Sequence, residues 1–84
     1  MKPHSKRVMG IAFLKKMGYL YSIGEDGKFK VTEVHSGSVV NEITPGRSGL
    51  KNMIYRPERG CFLVADGEGY VYVISAITVS EEFL

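Results

Sequence analysis

Residues Tyr19–Val34 read YLYSIGEDGKFKVTEV, two apolar runs on either side of a Glu25-Asp26-Gly27 turn. In the first run Tyr19, Tyr21 and Ile23 alternate onto one face of an extended chain. In the second, Phe29 and Val31 oppose Lys28 and Lys30. Aspartate before glycine marks a hairpin, because glycine supplies the positive φ that the tight turn requires. The stretch is therefore a β-hairpin, and it recurs. Cys61–Ala76 reads CFLVADGEGYVYVISA, starting 42 residues after Tyr19.

Working outward, Val8–Leu14 (VMGIAFL) is too short and too β-branched for a helix and reads as a buried strand. Lys15–Gly18 is a turn, Tyr19–Gly24 and Lys28–Val34 are the hairpin strands, and Ser38–Ile43 is a fourth, edge strand. Thr44–Gly49 (TPGRSG) is the linker, punctuated by Pro45 and two glycines. The pattern then restarts: Leu50–Arg56, a turn at Pro57–Gly60, Cys61–Asp66, Gly67-Glu68-Gly69, and Tyr70–Ser75. Residues 76–84 are expected to carry an outer strand. Identity between the copies is thin (Gly18 and Gly60, Gly27 and Gly69, Val31 and Val73), but alternation and turn positions match without a gap from Val8 to Val34. Four short strands in roughly 40 to 45 residues make a unit the size of one propeller blade. The expected fold is all-β, two four-stranded antiparallel blades at 1–43 and 44–84, with a small sandwich or barrel as the alternative.

Composition bounds the rest. Eighty-four residues make one small domain. Such a chain buries only about 60 to 65 per cent of its unfolded surface and is marginal alone. Cys61 is the only cysteine, so no disulfide forms within the chain. With only His4 and His35 beside it, no zinc site of ordinary spacing can be assembled. No cofactor or metal is expected. A lone thiol fits a reducing intracellular, cytoplasmic setting. No signal-peptide h-region follows the N-terminal lysines, and Val8–Leu14 is too short to cross a bilayer, so the chain is expected to be soluble and unsecreted. A net charge of +2 does not by itself call for nucleic acid.

The residues resemble a WD40 repeat. His4 stands where that family places the histidine of Gly-His, with Pro3 in place of the glycine. Ser22 matches the serine of the second strand, and Asp26 the aspartate of the turn between strands two and three. The terminal Trp-Asp pair falls on Thr32-Glu33, so the tryptophan is absent. The resemblance implies a buried hydrogen-bond network of His4, Ser22 and Asp26. The matching positions of the second copy, Gly46, Val64, Glu68 and Ile74, keep none of it. It further implies a non-enzymatic scaffold for protein partners.

Other readings carry less. Glu25 and Asp26 are neighbours whose side chains diverge, a poor acid–base pair. Gly24–Gly27 and Gly67–Gly69 precede no helix and put carboxylates where a phosphate would sit. Ser36 and Ser48 lack a strand-to-helix elbow and a histidine base, so no enzyme is expected. Cys61 reads as a small core residue. The tyrosines read as packing between blades rather than a base-stacking platform. Lys6, Arg7, Lys15 and Lys16 could form one basic rim for acidic peptide, phosphoinositide or RNA. Strands apolar on both faces expect cover on both sides. Two blades do not close a ring, so the chain is expected to self-associate or to belong to a larger propeller or complex.

Overall fold

The computed structural model describes residues 2–76. The chain is all-β. Strands β1 (Val8–Leu14), β2 (Tyr19–Gly24), β3 (Phe29–Glu33) and β4 (Ser38–Ile43) form one antiparallel meander in that order. Strands β5 (Leu50–Arg56), β6 (Cys61–Asp66) and β7 (Val71–Ser75) form a second. Among the described residues neither sheet closes on itself. The expected outer strand of the second copy lies outside the described residues.

The 42-residue repeat is visible bond by bond. The Gly24 amide donates to the Lys28 carbonyl, and the Asp66 amide to Tyr70. Val34 donates to Gly18, and Ala76 to Gly60. Glu25 donates to Arg7 and Gly67 to Gly49, so each hairpin turn is tied to the segment leading into its own sheet. Both first strands carry an irregularity at the same place, Val8/Gly10 and Leu50/Asn52. Gly18, Gly27, Gly60 and Gly69 all have positive φ, the conformation that two of these turns were expected to need. β3 and β7 start one residue later than the alternation predicts. The Lys28 and Tyr70 amides are taken by the Asp26 and Asp66 carboxylates instead of a neighbouring strand.

The sheets stack face to face. Tyr21, Ile23, Phe29 and Val31 of the first meet Leu50, Phe62, Val64 and Ile74 of the second, all essentially dry. Phe62 is the hub: its ring lies 4.6 Å from Tyr21, 5.4 Å from Phe29 and 4.9 Å from Tyr55. These tilted and edge arrangements avoid the face-to-face sandwich that the ring quadrupoles disfavour. The Tyr21 hydroxyl crosses to the second sheet and donates to the Ala76 carbonyl at 3.2 Å. Burial raises the Tyr21 pKa, with Tyr55 and Tyr19 adding to it, which keeps this donor protonated. Among the described residues the outer face of the second sheet has no such cover, and that of the first is covered only around Ser22 and Thr32, where His4 packs on Ser22.

Candidate functional site

Three features could carry function: the two buried polar networks, the basic residues, and the open sheet faces.

In the first repeat His4 Nδ1 lies 3.1 and 3.2 Å from the two Asp26 carboxylate oxygens, and Nε2 lies 2.8 Å from Ser22 Oγ. A carboxylate only accepts, so Nδ1–H donates to Asp26 and a neutral ring leaves Nε2 to accept from the Ser22 hydroxyl. Asp26 also accepts from the Ser5 and Lys28 amides. Burial pushes the Asp26 carboxyl up, but the Lys28 amide, His4 and the Ser5 amide outweigh it and hold the group below its ordinary value. Gly24 makes the arrangement possible: a Cβ there would lie 2.6 Å from His4 Nδ1 and 2.7 Å from Asp26 Oδ1. Thr32, at the position of the family's tryptophan, is fully buried. Among the described residues its hydroxyl finds no partner, so the network stops at Ser22.

Ser22, His4 and Asp26 follow the order of a nucleophilic triad, a geometry the sequence reading did not consider for Ser22. Ser22 is at 0% exposure and His4 at 2%, so nothing from solvent reaches the hydroxyl. The set pins residues 4 and 5 to the β2–β3 turn.

The second repeat builds a different network, which position-by-position matching missed. The carboxylate moves from the turn to the end of β6. Asp66 accepts from the Glu68 amide at 2.9 Å, the Tyr70 amide at 3.0 Å and the Tyr72 hydroxyl at 2.8 Å. Burial raises the Asp66 carboxyl, yet the bonds from Tyr72, Tyr70 and Glu68 leave it net lowered. The same bond to Asp66 pushes the Tyr72 phenol up to about 12. Gly46 and Asp66 stand 42 residues after His4 and Gly24. The swap is reciprocal. Where the first repeat has a large residue at 4 and glycine at 24, the second has glycine at 46 and a carboxylate at 66. A Cβ at Gly46 would collide with the Tyr72 hydroxyl, which occupies that space.

The basic residues do not form one rim. Lys6 and Arg7 precede β1 and Lys15 and Lys16 follow it. Seven extended residues at roughly 3.3 Å each put them on the order of 23 Å apart. Arg7 instead faces Glu25, at 4.0 Å. Lys15 and Lys16 border a cleft of about 260 Å³ with Leu14, Met17, Tyr55 and Ala76. The expected rim is split because the two ends of β1 lie at opposite ends of the meander. Among the described residues no group of three or more His, Cys, Asp and Glu side chains could hold a metal ion. No helix there is long and apolar enough to cross a membrane.

The open faces are the most distinctive surface. On the first sheet Ile11 (64% exposed) and Phe13 (52%) point away from the core, with Val8 and Val39 also exposed. On the second, Ile54, Val71 (65%) and Val73 (71%) do so, and register places Leu63 and Ala65 between them. A shallow, almost wholly apolar hollow of about 260 Å³ sits there, lined by Asn52, Met53, Ile54, Leu63, Ala65 and Val71. Searches of protein-family models and of curated proteins found no match to the chain.

Proposed function

We propose that the chain is a non-enzymatic protein-interaction module, a WD40-like pair of blades that offers its sheet faces to protein partners. The observation that carries this reading is the open face of the second sheet, where Ile54, Leu63, Val71 and Val73 lie side by side without one charge among them. Solvent-facing strands normally alternate to polar residues. Contiguous exposed apolar patches mark interaction surfaces. The polar clusters support the same reading, since Ser22, His4 and Asp66 are buried and engaged within the fold. The phosphoinositide or RNA alternative loses the single basic rim it relied on.

Binding of the purified chain to arrays of apolar peptides, to phosphoinositide vesicles and to RNA oligonucleotides tests the proposal. Peptide binding with a shallow salt dependence, abolished by Val73→Asp and kept by a Lys15→Glu/Lys16→Glu variant, is the expected result. Binding confined to vesicles or RNA, falling steeply with salt and lost in the lysine variant, would replace this reading with the charged-ligand one.

A further inference from the structure

The repeat relates the open faces to the covered ones. Shifting by 42 residues carries Val8, Ile11 and Phe13, exposed on the first sheet, onto Leu50, Met53 and Tyr55, which pack into the core between the sheets. Val34, 40% exposed, becomes Ala76 at 2%. The same shift carries the covered Tyr21, Phe29 and Val31 of the first sheet onto Leu63, Val71 and Val73 on the open face of the second. Each open face is thus the repeat equivalent of the face that already packs on the other sheet.

We infer that the open face of the second sheet in one copy of this chain packs on the open face of the first sheet in another, by the operation that stacks the two sheets within a copy. The inference rests on the interaction-module reading and names the partner as a second copy. It also names what fills the hollow. Within the chain, the Met53 side chain packs over Gly10 and Ile23: a Cβ on Gly10 would meet Met53 Cγ at 3.2 Å and Ile23 at the same distance. Carried forward by 42 residues, Met53's role falls to Ile11 of the incoming copy, seated over Asn52 and Ala65. Those two residues line the observed hollow, and Ala65, replacing Ile23, is what opens it. Leu20 of the incoming copy takes the place of Phe62 and lies over Leu63. The interface joins unlike faces, so it leaves one face free at each end and propagates until a ring closes or a filament grows.

Ile11→Arg blocks one face and Val71→Arg the other. Both positions are exposed in the chain, so the fold tolerates the charge; Ile11→Thr and Val71→Thr, which keep the β-branched shape, serve as milder versions, with circular dichroism as the check on folding. Light scattering should find the unmodified chain larger than a dimer. Each arginine variant alone should remain at 9.3 kDa at concentrations tenfold above those at which the unmodified chain assembles. An equimolar mixture of the two should form a dimer and stop there, because each variant keeps the one face the other lacks. A mixture that stays monomeric, a single variant that still assembles, or an unmodified chain that stays monomeric overturns the inference. In the last case, peptide binding that Val71→Arg abolishes would leave the interaction-module reading standing with a different partner.

Discussion

Removing the imidazole of His4 strands two groups at once, the buried Ser22 hydroxyl and one side of the Asp26 carboxylate. His4→Ala should therefore destabilise the chain by about 1 to 3 kcal/mol in urea unfolding, the cost of leaving buried polar partners unpaired. Thr32→Val is the counter-experiment. It replaces a buried hydroxyl that has no partner among the described residues by a methyl of the same shape, and should leave stability unchanged or raise it. A large loss for Thr32→Val, or none for His4→Ala, would mean the network has been drawn wrongly. The aspartates set the acid limit. Asp26 and Asp66 both titrate below their ordinary value in the folded chain, whereas unfolded they titrate near about 3.9. A depressed folded pKa contributes stability that is complete above the unfolded value and is lost as pH falls through the folded one. The contribution of these two carboxylates to the denaturation midpoint should be lost as pH falls through the window below about 4. Asp26→Asn/Asp66→Asn should start lower and lose less in that window; an equal acid loss in the double variant would assign it to other carboxylates. Tyr72 acts at the other extreme. Its pKa, raised to about 12, gives a contribution present below the unfolded value of 10.0 and lost as pH climbs between the two.

Both hairpin turns depend on a glycine with positive φ. Gly27 has φ of 80° and Gly69 of 94°, conformations in which a β-branched residue is strained. Gly27→Val and Gly69→Val should each cost about 1 kcal/mol or more. The first should cost more, because its Cβ would also meet the Ser48 carbonyl oxygen at 3.2 Å, whereas nothing lies within 4 Å of a Cβ at Gly69. Thermal unfolding of both variants measures this, and a Gly69 variant the worse of the two would contradict it. The turns also explain what could be read in advance. Strand limits between the end of β1 and the start of β7 were legible because glycine turns and the Pro45 linker bound them, and alternation fixes register between those stops. The Asp66–Tyr72 pair was not legible, because comparing position 68 with position 26 presumes that the second repeat keeps its carboxylate in the turn. It keeps the bond to the Tyr70 amide but makes it from two residues earlier. The failed basic rim was foreseeable: a seven-residue strand separates Arg7 from Lys15, and no turn can bring its two ends together.

At the scale of the whole molecule, the two sheets formed by the described residues cover one face each and leave the other largely open. Tyr21, Phe29 and Phe62 dominate the single covered interface. The outer faces hold the repeat-equivalent positions of its residues, with Ser22 and Thr32 standing where the covered face has Val64 and Ile74. Apolar surface left in water forgoes roughly 25 cal/mol for every Å² that could be buried, so a few hundred Å² is a driving force on the order of 10 kcal/mol before association costs. On the proposed reading these faces are covered by protein, in the first instance by another copy. The most direct measurement is the mass of the unmodified 84-residue chain by light scattering over a micromolar concentration series. The mass should rise to a multiple of 9.3 kDa above a dimer and fall back on dilution. A particle that stays at 9.3 kDa throughout and unfolds in one cooperative step would contradict it, because the open faces would then be tolerated in water as they stand.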